Sequence, residues 1–521
     1  MNMWKRLLLL SLTLASVAVP HAAGESGQPQ DAPTGQPAGK AKSPLAAYPP
    51  LVVAADVISY LLDIFDADPD GDPATWPVLK SAAPAARRAK VSVGPNVHVS
   101  KPHADLRHQE CVIAADPADP LRAVASSMMG RADSGGGGNS LPVYRTRDGG
   151  KTWEAGPVIK PDRGYGLCDQ AFAYGPGGEI FFGHMRVKLN AGMASGQAGI
   201  GCGVDLHRST DGGTTWQPRA KIDRYVDRVW LAADRTGGPR HGNLYFCGQI
   251  NEPIFGASRD GAATFGPLLT PDAAIKNPRP TQPVVLPDGS VVWANLFTPD
   301  SNASRPRMLR VFRSDDGGKT VRAVGEVPAK WRHAVHRPNG DSLPEFPQLA
   351  VDGDKASPRR GRLYCVWTDG TLTNDTKVIL STSDDRGATW SAPVVVSEQP
   401  LVAPDGEYHA QLPTVAVSPA GVVAVGWYDR RGLPATKVGP TGGRLASAGY
   451  SVRLRVSKDG GATWLPSVQV NTVAAKSDIG EFGHTAGLTA TADGRFLPAW
   501  IDDRTGLGQL WTASVTVGPD E

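Results

Sequence analysis

After Val19 the chain has no apolar run long enough to anchor it in a bilayer. It also has no basic tract interleaved with aromatic residues. The formal net charge is only +3, with both signs dispersed, which argues against nucleic acid as a partner. Cysteine is scarce: Cys111, Cys168, Cys202, Cys247 and Cys365 are all there is, and no two stand at metal-ligand spacing. An odd number outside the cytoplasm leaves at least one thiol unpaired. Cys247 and Cys365 sit inside apolar strand patterns and read as core residues. Cys168 and Cys202 flank one repeat unit on the same side and are the candidate disulfide.

What is present is a chain of 521 residues, rich in turn formers (Gly 60, Pro 45), with 13 Trp to anchor a core. Residues 1–24 read as a secretory signal. Lys5 and Arg6 form a basic start, Leu7 to Val19 a short apolar stretch, and Ala22, Ala23 and Gly24 a cleavage point. The alternative is an uncleaved anchor. The mature protein is expected to be secreted or periplasmic, and a monomer. Residues 25–50 are a Pro/Gly/Ala-rich linker with almost no large apolar side chain. Residues 51–89 open with apolar residues at helical spacing, Leu51 to Phe65, followed by an acidic turn. In that turn Asp66, Asp68 and Asp70 stand as at the start of a calcium loop, but the twelfth position is Pro77 instead of a bidentate Glu. A structural calcium ion and a solvated acidic turn both remain open; no other cofactor is expected.

From residue 90 to 521 one phrase recurs: Ser/Thr-x-Asp-x-Gly-x-Thr-Trp. It is complete at Thr146–Trp153, Ser209–Trp216, Ser383–Trp390 and Ser457–Trp464, and worn at Ser258–Phe265 and Ser314–Val321. Its aspartates are Asp148, Asp211, Asp260, Asp316, Asp385 and Asp459, at intervals of 49 to 74 residues. A repeat of this period points to a propeller or array. Chemically the phrase is a turn. The Asp carboxylate accepts from nearby backbone N–H groups, Gly supplies a left-handed position, and Thr and Trp open the next strand. Six copies around a fold are structural; a chemical centre is not built six times.

Alternating apolar residues and Gly/Pro/Asp punctuation lay out units of four strands, with the phrase between strands 3 and 4. First strands begin near Glu110, Asp169, Arg228, Gln282, Gln348, Gln411 and Thr485. The seventh unit lacks a fourth strand, and Val91 to Ser100 is available to supply it and close the ring. The expected fold is an all-β propeller of four-stranded antiparallel blades, seven in number, or six if one unit is misread.

Every Asp phrase is a 3–4 turn, so all share one face with the 1–2 turns. The longer 2–3 and 4–1 loops crowd the opposite face, where binding residues concentrate. Three second strands end in Trp-x-Asp: Trp367 with Asp369, Trp427 with Asp429, Trp500 with Asp502. The last two run on into Arg430-Arg431 and Asp503-Arg504. The 4–1 connections add Arg107, Glu110, Tyr165, Asp169, Asp227, Arg228, Arg337, Glu345, Glu407, Tyr408 and His409. The Trp-x-Asp motif reads equally as blade architecture, and the Asp–Arg pairs as inter-blade salt bridges.

The phrase is that of the Asp-box, or BNR, repeat, and the layout resembles the sialidase superfamily of propellers. That resemblance implies an exo-α-sialidase-type glycoside hydrolase on sialylated or other acidic glycans. Its alternative is a non-catalytic propeller that binds glycan or protein. A sialidase would carry three arginines around the substrate carboxylate, a Tyr nucleophile helped by Glu, and an Asp acid/base. The family's Arg-Ile-Pro signature is absent, with Arg107 and Arg131 nearest to its place, so roles fall by position alone. On that basis Arg228, Arg431 and Arg504, with Arg337, would bind substrate. Tyr408 would be the nucleophile, Glu407 or Glu345 its helper, and Asp429 or Asp502 the acid/base.

Overall fold

A computed structural model describes residues 80–85, 89–130, 139–188, 200–224, 226–249, 252–298, 307–331, 346–369, 376–398, 410–431, 437–438, 444–445, 449–476, 483 and 485–520. The signal, the linker and the calcium candidates Asp66, Asp68 and Asp70 lie outside the described residues. Among the described residues no helix is long and apolar enough to cross a membrane.

The described strands form seven antiparallel blades. Blade 1 is Arg107–Ala115, Ala123–Gly130, Leu141–Thr146 and Glu154–Ile159. Blade 2 is Tyr165–Tyr174, Ile180–Lys188, Ile200–Ser209 and Gln217–Ile222. Blade 3 has Asp227–Ala233, Leu244–Gln249 and Pro253–Ser258, with a single Phe255–Leu269 bridge in the fourth place. In blade 4 the first strand is broken into Lys276–Pro280 and Val284–Val285, and Val291–Thr298, Arg307–Ser314 and Arg322–Trp331 follow. Blade 5 is Gln348–Val351, Leu363–Asp369, Lys377–Ser383 and Val394–Val395. Blade 6 is Ala410–Val417, Val423–Asp429, Ser451–Ser457 and Val468–Gln469. Second strands such as Leu244–Gln249 and Leu363–Asp369 are buried at every position. Both their faces meet a neighbouring blade, which is why they read as apolar runs with little alternation.

Blade 7 is closed from the other end of the chain. Gly487–Ala490, Phe496–Asp502 and Gln509–Thr512 are joined by Val97–His98, which pairs antiparallel with Trp511 and Thr512. Ala89–Val93 then pairs with Val515–Asp520. His98 stacks on Trp511 at 4.5 Å, and Ser100 Oγ donates to Gln509 Oε1 at 2.6 Å. The upstream residues are also tied down. Lys80–Ser81 lies parallel to Val394–Val395 of blade 5, and Ala83–Pro84 parallel to Thr463–Trp464 beside blade 6.

All six aspartate turns have one wiring. In blade 2, Ser209 Oγ donates to Asp211 Oδ1 at 2.8 Å and accepts from Gly213 N at 2.9 Å. Thr215 donates from its N–H to Asp211 Oδ1 at 2.9 Å and from its hydroxyl to Oδ2 at 2.7 Å. The worn copies keep this lock: Thr264 donates twice to Asp260, and Thr320 twice to Asp316. Partial burial works against these charges, but the hydrogen bonds outweigh it and hold Asp211, Asp260 and Asp316 down at about 2. Where the Trp is lost, Phe265 fills the place and meets Phe246 edge-on at 5.3 Å.

Candidate functional site

The site begins with an irregularity that the strand pattern alone does not show. The first strands of blades 1, 2, 3 and 6 each slip register near their start, at Gln109/Val112, Cys168/Ala171, Asp227/Trp230 and Gln411/Thr414. Each slip holds a non-glycine residue in the left-handed region: Glu110 (φ 49°), Asp169 (φ 51°), Arg228 (φ 55°) and Leu412 (φ 50°). A bulge re-aims a side chain. A non-glycine residue held there costs about 1–3 kcal/mol, and such strain collects at functional sites.

Three of the four re-aimed residues are charged, on consecutive blades, and they meet. Arg228 Nη2 lies 3.1 Å from Asp169 Oδ1 and 3.5 Å from Glu110 Oε2. Arg228 is 1% exposed, and Glu110 and Asp169 are 7% exposed each. The guanidinium sits 4.4 Å over the Phe346 ring and 5.5 Å from that of Trp230. Asp227 completes the group and accepts from Gln249 Nε2 at 3.0 Å. Gly483, ahead of the first strand of blade 7, packs against the Glu110 side chain so closely that any Cβ there would overlap it. The cluster stands where the first strands begin, on the face away from the aspartate turns. Beneath it the first strands of all seven blades line a cavity of about 140 Å³, with Trp230 in its wall.

The electrostatics separate two neighbouring carboxyls. Burial, then the nearby Asp227 and Glu110, push Asp169 well above the usual carboxylate range despite Arg228. Desolvation also opposes the charge of half-buried Asp227, but hydrogen bonds from Gln249 and Asp169, together with Arg228 and Arg279, hold it below that range. Burial works against the Arg228 charge, and the surrounding carboxyls more than restore it. Arg279, 5.7 Å over the same Phe346 ring, is a second cation beside the three carboxyls.

The other residues chosen from sequence are placed differently. Asp429 is fully buried and accepts from Trp427 Nε1 at 2.7 Å, Arg431 N at 2.7 Å and Arg431 Nη2 at 3.1 Å. Asp502 repeats this, accepting from Trp500 Nε1 at 2.8 Å and Arg504 Nη2 at 2.6 Å. Arg431 also reaches Glu398 at 3.7 Å, and Arg504 lies 4.4 Å over the Trp511 ring. These are latches: the Asp clamps its own strand's indole and the arginine two residues on. Among the described residues Arg228, Arg431 and Arg504 share no partner: Arg228 holds Glu110 and Asp169 of blades 1 and 2, Arg431 holds Asp429, and Arg504 holds Asp502. Glu345, Glu407, Tyr408 and Arg337 lie outside the described residues.

The Cys168–Cys202 pairing is a correction. Cys168 carries a free thiol. It lies on Tyr165–Tyr174 and Cys202 on Ile200–Ser209, with Ile180–Lys188 between them. Two strand spacings, about 9.5 Å, exceed the reach of a disulfide. Cys247 and Cys365 are fully buried, and burial raises their thiols. Among the described residues no group of three or more His, Cys, Asp or Glu is placed to hold a metal.

Sequence reasoning named Glu110, Asp169 and Asp227 as loop neighbours but gave them no role, and it missed Gln249, Phe346 and Gly483. A signal was present: Glu110, Asp169 and Arg228 stand at equal intervals of 59 residues.

No sequence family and no curated protein matches the chain. Similar solved structures include a protein of unknown function from Dyadobacter fermentans, 14% identical, covering 82% of this chain and 99% of that one, TM-score 0.46. A Hadza microbial sialidase is 12% identical over 84% of this chain and 98% of its own, TM-score 0.40. The GH93 alpha-L-arabinofuranosidase of Fusarium graminearum, in complex with arabinobiose, is 14% identical over 64% and 92%, TM-score 0.39.

Proposed function

We propose that this chain is an extracytoplasmic, sialidase-like propeller that hydrolyses a glycan at the cluster of Glu110, Asp169, Asp227 and Arg228. The observation that carries the reading is geometric: Asp169 and Glu110, re-aimed by bulges on consecutive blades, approach the same Arg228 nitrogen at 3.1 Å and 3.5 Å. Two carboxyls set apart around one point are the acid and base arrangement that glycoside hydrolysis uses. Burial raises Asp169 above the usual carboxylate range, which suits it to the acid role. Asp169 would protonate the departing oxygen, and Glu110 would act on the anomeric carbon, directly or through water. The common wiring of the aspartate turns supports reading them as Asp-boxes.

The engagement of Arg228 by Glu110 and Asp169 favours a hydroxyl-rich, uncharged glycan over a sialylated one. An exo-sialidase reading would need three arginines around one carboxylate, with Tyr408, Glu407 or Glu345 beside them. Arg431 and Arg504 are instead engaged by Asp429 and Asp502. Residues 1–24 as a signal support placement outside the cytoplasm. Calcium at Asp66, Asp68 and Asp70 would be structural, with no part in the reaction.

The test is turnover of a panel of fluorogenic glycosides, sialoside included, by the purified mature chain. Hydrolysis of an uncharged glycoside is expected, with a bell-shaped pH profile. Its two limbs belong to the interacting carboxyls of the cluster as a group. Asp169→Asn should lower kcat by about 10²–10⁴. Turnover of the sialoside alone would restore the sialidase reading. No turnover together with retained glycan binding would favour the second reading, a binding propeller.

A further inference from the structure

The axial cavity widens at its other end, on the face of the aspartate turns. There the 1–2 turns of blades 1 to 5 surround a funnel of about 360 Å³, which shares Phe172 and Leu231 with the cavity below the Arg228 cluster. Its floor is apolar, formed by Ala115, Phe172, Leu231 and Val284 among others. Its rim carries Arg235 from blade 3 and Lys355 and Arg360 from blade 5, and among the described residues no carboxylate lines it. Among the described residues none of the three cations has an ion-pair partner. Asp116 is the nearest acidic influence on Arg235, but it is 4% exposed and accepts from Ala118 N at 2.9 Å within its own turn.

We propose that this funnel binds a small organic anion, a phosphate or carboxylate on an apolar body, with the anionic group among Arg235, Lys355 and Arg360 and the body on the Phe172–Leu231 floor. Three like charges around one concavity repel one another when nothing lies between them, and an anion relieves that repulsion. Two arginines offer forked donors that fit phosphate or carboxylate oxygens. The volume suits a ligand of ring size, within the ordinary range of small-molecule sites. An inorganic ion would satisfy the rim and leave the floor wet. The site is independent of the glycan reading, since it lies at the opposite end of the channel and uses none of the same residues.

The test is titration calorimetry of the mature chain with phenyl phosphate, inorganic phosphate and benzyl alcohol. Phenyl phosphate should bind saturably with one site per chain and more weakly as salt rises. Arg360→Ala should weaken it by about tenfold, and the triple variant Arg235→Ala/Lys355→Ala/Arg360→Ala should abolish it. Circular dichroism on the variants would confirm the fold, which these exposed positions should not disturb. No saturable binding of phenyl phosphate, or equal binding by the triple variant, overturns the proposal. Equal affinity for inorganic phosphate overturns the part assigned to the apolar floor, as does equal affinity for benzyl alcohol for the cationic rim.

Discussion

Arg228 Nη2 lies 3.1 Å from Asp169 Oδ1, and both residues hold left-handed backbone at matching positions of neighbouring blades. The contact forms only because two strands are bent in the same way. Removing the guanidinium leaves buried carboxyls without their cation. Arg228→Met should destabilise the protein by about 3–5 kcal/mol, read from urea unfolding. The double variant Arg228→Met/Asp169→Leu should be less destabilised than the sum of its parts. Strict additivity would mean that the two residues do not act as a unit.

Gly483 tests the position of Glu110 without altering any charge. Gly483 (φ 84°) and Gly494 (φ 87°) have similar backbone, but only Gly483 faces a side chain that a Cβ would strike. Alanine at either should cost about 1–2 kcal/mol of backbone strain. Only Gly483→Ala should in addition change glycan turnover or binding. The same effect from Gly494→Ala would remove Glu110 from the site.

The aspartate turns set part of the acid response. Asp211, Asp260 and Asp316 titrate at about 2 in the folded chain, against about 3.9 when unfolded. Their contribution to stability is complete above pH 4 and is lost as pH falls toward 2. Between those limits the urea midpoint of the wild type should fall more steeply than that of Asp211→Asn/Asp260→Asn/Asp316→Asn. The buried histidines act elsewhere. His184 and His108 are pushed down to about 3, chiefly by burial. Only the unfolded chain takes up their protons between about pH 6.5 and 3, so they lower stability as pH falls through that window.

Two turns hold a non-glycine residue in the left-handed region: Ala262 in blade 3 (φ 65°) and, directly after the aspartate where the other five turns have glycine, Arg386 in blade 5 (φ 62°). Its ion pair with Asp288 is exposed on both sides and contributes little. Arg386→Gly should raise stability by about 1 kcal/mol, seen as a higher urea midpoint with an unchanged slope. A fall would mean that the Asp288 contact outweighs the strain.

The architecture was legible because it is written in local chemistry. A turn that needs Asp, Gly and Thr at fixed offsets leaves a mark each time, and strand starts near Thr485 and Val91 exposed the incomplete last blade. The choice of face also followed from counting strands. The site was harder to read. Trp427-x-Asp429 and Trp500-x-Asp502 look like chemistry in sequence, but each Asp is occupied by its own indole and a nearby arginine. Glu110, Asp169 and Arg228 meet because of bulges, and a bulge has no signature when the residue in it is neither Gly nor Asn. Their common interval carried the information, but only once the blades had been aligned on one another.

The closure of blade 7 also fixes an order of events. Ser100 and Gln509, hydrogen-bonded across it, are 409 residues apart in the chain. Bringing such distant segments together is entropically costly and slow, and it rewards the chain only at the end. Val97–His98 must therefore wait for its partner, Trp511–Thr512, until nearly the whole polypeptide has been made. A chain that crosses a membrane before folding would meet no finished ring on the way, and its last blade would form only after its C-terminus had followed.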